Sequence, residues 1–172
     1  IPSMSYQDAP AFYRWLKTQD TVSALALRFL LLTAARTSEV RLATFDEIDC
    51  DVWTLPPSRT KTGRGQRVPL NSEIQAIVQR CKEMSPNSYL FTALKALPIS
   101  DMAMSTFMKR AGYDARPHGF RATFRTWCEE CTDAPFEVKE AALGHAVDVG
   151  TVAAYQRSDR FDMRRALQRQ WT

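Results

Sequence analysis

Residues that could do chemistry occur along this chain in short polar motifs, the first of which is Arg36 with Glu39. Arg36 follows the most apolar segment of the sequence, and Glu39 lies three residues later, on the same face if a short helix begins there. An arginine at the end of a buried helix needs a partner. Glu39 therefore either forms a structural ion pair with it or orients a guanidinium whose other donors point at an anion.

The motif "HGFR" supplies a second pair, His118 and Arg121, one helical turn apart and able to converge on one site. Pro117 precedes the predicted helix start, so His118 would lie near a helix N-terminus, where backbone N–H groups also favour an anion. Taken singly, such a histidine is more often a hydrogen-bonded packing residue. The motif is informative only in combination with others.

Three more residues are ambiguous when each is taken alone. Lys61 lies in a glycine-containing loop between two predicted strands, where it is either a solvated cation or a mobile proton donor. His145 follows Gly144 at a predicted helix end and could simply cap that helix. Tyr155, ten residues further on, would by itself be an ordinary amphipathic aromatic.

The net charge of the chain is compatible with a polyanionic partner but does not require one. Lys and Arg number 23 against 19 Asp and Glu, which gives a net charge of +4. Arg59, Arg64 and Arg67 surround the loop lysine, and we predict that they meet DNA backbone phosphates or solvent. A second basic stretch, residues 157–169, lies in the C-terminal tail of the chain. The tail also has apolar residues at helical spacing, and it therefore packs either on its own domain or on a partner.

Cysteine usage fits a reducing cytoplasm, because four cysteines are too few for a disulfide scaffold in a chain of 172 residues. "CEEC", from Cys128 to Cys131, has the spacing of half a zinc or redox site, but the chain has only two histidines and no second cysteine pair. Ordinary thiols on a helix face are favoured, and no metal is expected. The longest apolar run is interrupted by Arg28 and is too short to span a bilayer, so no membrane partner is expected.

The elements that must position these residues are mostly helical, in one domain that is mainly α with a small three-stranded antiparallel β-sheet. Helices are predicted over 9–17, 23–35, 39–43, 72–84, 100–112, 118–132, 135–144, 149–158 and 160–171. Asp8, Asp20 or Thr21, and Ser100 are candidate N-caps. Short β-type runs at 44–49, 52–55 and 66–70 surround a Pro- and Gly-containing turn that carries the loop lysine.

Taken in order, these motifs resemble the catalytic domain of the tyrosine recombinases, also called the phage integrase family. "HGFRATFRTW", "LGHAV" and "AYQRSDRFDMRRALQRQW" are similar to integrases of bacterial prophages and genomic islands, and the resemblance runs from about residue 20 to the C-terminus. It implies the tyrosine recombinase catalytic-domain fold. It also implies a site-specific recombinase that cleaves and rejoins DNA through a covalent 3′-phosphotyrosine, without metal, ATP or another cofactor.

The resemblance assigns six catalytic positions and one supporting acid: Arg36, Lys61, His118, Arg121, His145 and Tyr155, with Glu39 in support. The two arginines would grip the scissile phosphate and the tyrosine would attack it. His118 is the candidate base, Lys61 would protonate the departing 5′ oxygen, and His145 would position the phosphate.

The resemblance also implies partners and a domain context. Double-stranded DNA attachment sites and other recombinase subunits are expected, with a tetramer in the synaptic complex and accessory DNA-bending or directionality proteins. The bacterial cytoplasm, in association with the nucleoid, is the expected location. Because family members carry N-terminal DNA-binding domains, residues 1–172 are expected to be the catalytic, C-terminal fragment of a longer integrase. In the family such basic tails dock on a neighbouring subunit, which is the favoured prediction here.

Two other functions use part of the same residue set. A type IB topoisomerase would relax supercoils through the same phosphotyrosine chemistry, and a strand-exchange assay separates it from a recombinase. A noncatalytic helical DNA-binding module would keep the basic surface but would be unaffected by Tyr155→Phe.

Overall fold

The structure, a computed structural model, describes residues 1–146 and 160–172. Its helices are α1 (Ala9–Lys17), α2 (Val22–Thr33), α3 (Thr37–Arg41), α4 (Ser72–Met84), α5 (Ala103–Arg110), α6 (Phe120–Cys131), α7 (Phe136–Ala142) and α8 (Phe161–Trp171). Its strands are β1 (Ile48–Asp49), β2 (Val52–Leu55) and β3 (Gln66–Pro69). The predicted fold class is confirmed, while the predicted helix over 149–158 lies outside the described residues. Within them, no helix is long and apolar enough to cross a membrane.

Helix α2 lies at the centre of the core because it is apolar nearly all round. The Thr21 hydroxyl caps its start by accepting a hydrogen bond from the Ala24 N–H at 3.2 Å. Helices α1, α4, α5, α6 and α8 all contact α2. The helix ends at Thr33, and the next residue, Ala34, adopts a left-handed conformation with φ of 52° that turns the chain into the segment that carries Arg36.

The sheet is antiparallel in the order β1-β2-β3, with Ile48 opposite Trp53 and Leu55 opposite Gln66. Period-two alternation directs Trp53 and Leu55 into the core. Strand β1 is shorter than the predicted run 44–49. The first part of that run forms a 3₁₀ turn, since the Glu47 carboxylate accepts a bond from the Thr44 N–H. Between β2 and β3, residues 56–65 form the loop that carries Lys61.

Helices α5 and α6 begin two or three residues later than predicted. Helix α5 begins at Ala103 and not at Ser100, because the Ser100 carbonyl accepts only the short turn bond from the Ala103 N–H. His118 lies in a 3₁₀ turn, Pro117–Gly119, immediately before α6. The N-terminal segment crosses this turn so closely that any Cβ at Gly119 would collide with the Pro2 carbonyl oxygen. A side chain at this position would therefore displace the turn that carries His118.

Helix α8 packs on its own domain. Leu167 is buried in a small cluster with Phe124 and Leu143, and Trp171 packs against that cluster. The Trp171 Nε1–H donates to the Leu31 carbonyl at 2.8 Å, and Gln168 donates to the Pro69 carbonyl at 2.5 Å. The described part of the tail thus joins α2, β3 and α6 within one chain. Docking of the tail on a neighbouring subunit stays a prediction.

Replacing Trp171 with alanine is therefore expected to lower the free energy of unfolding by about 3 kcal/mol, as for other large aromatic truncations. The change removes ring contacts with Phe124 and Trp127, at centroid distances of 5.4 and 5.0 Å, as well as the Nε1 hydrogen bond. Urea unfolding at several protein concentrations measures the loss. Met163→Ala on the exposed side of α8 is the control, with an expected change within about 0.5 kcal/mol. A loss that depends on protein concentration would contradict packing within one chain.

Candidate active site

Arg36 is held at the start of α3 by Glu39. One carboxylate oxygen of Glu39 accepts the Arg36 backbone N–H at 2.9 Å, and the other accepts the Arg36 Nη1 donor at 3.0 Å. Glu39 is buried, with 1 % of its surface exposed. The ion pair is thus present, and it engages only one nitrogen of the guanidinium among the described residues. An arginine has five N–H donors, so most of those of Arg36 remain available to an anion.

Arg121 joins the ends of two helices. From α6 its Nη1 donates to the Ala34 carbonyl at 2.7 Å and its Nη2 to the Leu143 carbonyl at 2.6 Å. Burial, followed by the charge of Arg36, lowers the pKa of Arg121 to about 10. The side chain remains cationic at neutral pH. Two like charges held close together in a partly buried site would be stabilised by a shared anion.

His145 completes this group at the end of α7. Gly144, with φ of 65°, turns the chain there. The His145 Nε2 lies 3.2 Å from Arg121 Nη2, and its Nδ1 lies 2.7 Å from a Glu140 carboxylate oxygen. A ring nitrogen that faces a carboxylate carries the proton, so Nε2 accepts from Arg121 when the ring is neutral. Burial, then the charges of Arg121, Arg36 and Arg125, lowers the pKa of His145, which favours that neutral form.

His118 and Lys61 lie near the same cationic group. The pKa of His118 is lowered, first by partial burial and then by the charges of Arg121, Arg36 and Lys61. Lys61 itself is exposed in the loop between β2 and β3. The structure thus brings five of the six predicted catalytic residues into one region. The sixth, Tyr155, lies outside the described residues.

The three arginines predicted to meet DNA have different environments. Arg64 is exposed in the Lys61 loop, and the exposed Arg67 stacks its guanidinium over the Phe161 ring at 4.4 Å. The Arg59 side chain is mostly buried and forms two hydrogen bonds to the Glu47 carboxylate, at 2.5 and 3.0 Å. Its guanidinium is therefore already engaged by an acid within the protein.

Sequence reasoning missed Glu140. This residue orients His145, and its other oxygen pairs with Arg125. The available signal was an acidic residue five positions before the histidine in "EAALGH", together with an arginine one turn after Arg121. Neither signal indicates by itself that α6 and α7 bring these side chains together. The link depends on how the two helices pack.

No metal site accompanies these residues in the described part of the chain, where no group of three or more His, Cys, Asp or Glu side chains could hold an ion. Burial raises the pKa of Cys128 to about 12, so this thiol stays protonated. Cys131, at the other end of the "CEEC" motif, is exposed and unbonded to a second cysteine. Both observations support the interpretation of ordinary thiols on a helix.

Comparison with known proteins places this fold and these residues in a family. The sequence profile of the Phage integrase family matches residues 3–160. Prophage integrase IntA of Escherichia coli (strain K12) is 30 % identical over 180 residues, covering 99 % of this chain and 43 % of IntA. Prophage integrase IntZ of the same strain is 30 % identical over 167 residues, covering 93 % of this chain and 41 % of IntZ. The chain thus spans less than half the length of these two relatives.

Solved structures show the same fold at lower identity. The lambda integrase catalytic core superimposes with a TM-score of 0.65 at 17 % identity, covering 87 % of this chain and 94 % of the core. A lambda integrase fragment, in a dimer bound to a COC′ core site, gives a TM-score of 0.66 at 19 % identity over 92 % of this chain and 60 % of that one. The profile match and the two prophage relatives show that the chain belongs to the phage integrase family, the tyrosine recombinases.

Proposed function

We propose that this chain carries out the strand cleavage and rejoining of a site-specific recombinase, an integrase of a prophage or genomic island. The observation that carries the proposal is the pair of guanidiniums Arg36 and Arg121 with the His145 ring beside them. His118 and Lys61 are close enough to interact with this group. The relatives named as prophage integrases favour integration and excision over topoisomerase activity. Residues 1–172 would form the catalytic domain of a longer integrase.

The two guanidiniums would bind the scissile phosphate. Attack on a phosphodiester concentrates negative charge on its nonbridging oxygens, and two preorganised arginines can stabilise that charge. Arg36 is oriented by Glu39, and Arg121 is oriented by two backbone carbonyls. Because both arginines are held before substrate arrives, little reorganisation is needed when the charge develops.

Proton transfers would be divided between His118 and Lys61. The Tyr155 oxygen forms a bond to phosphorus while the bond from phosphorus to the 5′ oxygen breaks. His118 accepts the phenolic proton, and Lys61 protonates the departing oxygen. The products are a 3′-phosphotyrosine ester and a free 5′ hydroxyl. One phosphodiester has been exchanged for another, so the reverse reaction rejoins DNA without ATP.

The partners would be double-stranded attachment sites and further subunits of the recombinase. Lambda integrase has been solved as a dimer on a core site and as a tetramer on a Holliday junction. By analogy, a tetramer would assemble in the synaptic complex, with accessory DNA-bending or directionality proteins setting the outcome. The two basic side chains Arg64 and Arg67 are exposed and could contact backbone phosphates.

The role of His118 predicts a pH dependence. Only the neutral ring can accept a proton, and its pKa lies below the ordinary 6.5. The rate of covalent adduct formation should therefore hold as pH falls to 6.5 and decrease only below the lowered pKa. Single-turnover cleavage at DNA concentrations well below saturation, from about pH 4.5 to 8, reports the pKa of the DNA-free protein and measures this limb. His118→Gln is the control and should abolish the limb while slowing cleavage about 10²- to 10⁴-fold. An acidic limb above pH 6.5 would contradict the assignment.

Covalent capture tests the proposed function. The chain is incubated in EDTA with nicked duplexes randomised in sequence around the nick, denatured, and digested to map any DNA-linked peptide. We expect an adduct at Tyr155 that is lost in Tyr155→Phe. The control is Tyr6→Phe, which removes a different tyrosine hydroxyl, one that donates to Glu130, and should retain the adduct. An adduct at another residue, or one that requires a metal ion, would overturn the mechanism.

A further inference from the structure

Arg59 connects the Lys61 loop to α3, the helix that follows Arg36. Its Nε and Nη2 donate to the two carboxylate oxygens of Glu47, at 2.5 and 3.0 Å. Nη2 also donates to the backbone carbonyl of Glu39 at 3.1 Å. The carbonyl lies in the last turns of α3, where helix carbonyls lack an intrahelical partner. One guanidinium therefore joins the loop to two other segments.

Glu47 is a rigid anchor for this connection. Its carboxylate also accepts the Trp53 Nε1–H at 2.9 Å, and Trp53 is fully buried beneath the sheet. The side chains of Arg59 and Glu47 are 18 % and 10 % exposed, so water competes little for their hydrogen bonds. The base of the loop is thus tied to the core through a shielded, two-point ion pair.

Hydrogen bonds within the loop stabilise the rest of it. The Thr60 hydroxyl donates to the Arg64 carbonyl at 2.7 Å, and the Gly63 N–H donates to the Thr60 carbonyl at 3.2 Å. Gly63 supplies the positive φ, 66°, that this turn requires. Lys61 lies within the turn that these two bonds close, two residues after Arg59. Its position relative to α3 therefore depends on the residue two places before it.

We propose that Arg59 is a positioning residue, which holds the Lys61 loop against α3 so that the lysine reaches the departing 5′ oxygen, and that it does not contact DNA. The role of Lys61 rests on the proposed function. Arginine is needed because its planar fork reaches both Glu47 oxygens and the Glu39 carbonyl together, which a single ammonium cannot do. Arg59→Lys keeps the charge and removes that geometry.

A titration tests the position of the loop without any activity. The charge of Lys61 lowers the pKa of His118, so moving the loop away should raise it. With only two histidines in the chain, NMR follows each ring. We expect the pKa of His118 to rise in Arg59→Lys, in the direction seen in Lys61→Met. Arg64→Lys, the matched substitution at an exposed arginine of the same loop, should leave it unchanged. An unchanged His118 pKa in Arg59→Lys would overturn the proposal.

A folding control accompanies this titration, since Glu47 is largely shielded from solvent. Circular dichroism and thermal unfolding report whether Arg59→Lys retains the fold. Should it unfold, the double variant Arg59→Gln with Glu47→Gln removes both charges together and avoids a lone shielded carboxylate. It also breaks the tie at the base of the loop, and the same rise in the pKa of His118 is expected.

A leaving-group experiment then tests the link to Lys61. In the duplex identified by covalent capture, sulfur replaces the bridging 5′ oxygen, and a thiolate departs without a proton donor. Arg59→Lys should slow cleavage of the oxygen duplex about 10-fold or more and of the sulfur duplex less than about threefold, as Lys61→Met should. Equal slowing of both would overturn the proposal and favour a phosphate contact. If the unaltered chain cleaves neither duplex, the proposed function fails, whereas the titration still decides whether Arg59 holds the loop.

Discussion

Arg121→Lys is expected to slow covalent adduct formation at Tyr155 by about 10²- to 10³-fold, the effect of losing one preorganised donor to a developing oxyanion. Lysine retains the positive charge. It cannot keep bonds to the Ala34 and Leu143 carbonyls while it also faces a phosphate, as the fork of Arg121 can. Single-turnover cleavage at saturating protein measures the chemical step separately from DNA binding.

The same substitution should also destabilise the domain. Two backbone carbonyls, at the ends of α2 and α7, lose their donors, at a cost of about 1–3 kcal/mol for each acceptor left unsatisfied. Arg110→Lys, at the exposed end of α5, is the matched control and should alter neither rate nor stability. A cleavage rate in Arg121→Lys within about twofold of the unaltered chain would refute a phosphate-binding role for Arg121.

Glu39→Gln should lower the free energy of unfolding by about 3 kcal/mol and reduce cleavage as well. The buried carboxylate is the counter-charge of Arg36, and the Arg36 side chain is only 13 % exposed. Without it, the repulsion between Arg36 and Arg121 is no longer offset. For a chain of this length the thermal midpoint should fall by roughly 10 °C. Calorimetry measures the stability change, and covalent capture measures the loss of adduct.

The chain contains a control ion pair with the same sequence spacing at the surface. Arg80 and Glu83 are also three residues apart in an ion pair, at 3.2 Å, but their side chains are 41 % and 53 % exposed. Because exposed pairs contribute little, Glu83→Gln should cost no more than about 1 kcal/mol and leave cleavage unchanged. Equal losses in Glu39→Gln and Glu83→Gln would show that burial of the Arg36 pair has no special importance.

Local interactions explain how much of the fold could be predicted. Helix α4 was predicted with the bounds Ser72–Met84 that the structure has, because its apolar spacing is regular. The structure adds a local cap, since the Asn71 side chain accepts a bond from the Ile74 N–H. The run 44–49 was predicted less well. Its residues favour a strand, but the Glu47 carboxylate is directed toward the Thr44 N–H and folds the first part into a 3₁₀ turn. A side chain that competes with the backbone ladder is invisible to an alternation pattern.

In the candidate site as well, local contacts could be predicted and contacts between distant segments could not. Arg36 with Glu39 was predictable as a pair because both lie within one helical turn. The contact of Glu140 with His145 was not, since it spans the end of α7 and depends on the turn at Gly144. Arg59 had been predicted to face DNA or solvent. Its ion pair with Glu47 crosses the sheet and becomes visible only when the strands are in register.

The sequence by itself determined the residue types of the site, the helices and strands that carry them, and the family to which they belong. These properties follow from spacing, capping and motif order, which involve neighbours a few residues apart. Only the tertiary structure decided which partners the charged side chains take and that α8 packs on its own domain. These contacts join segments up to 140 residues apart, and their energy depends on burial, which exists only once the core has formed.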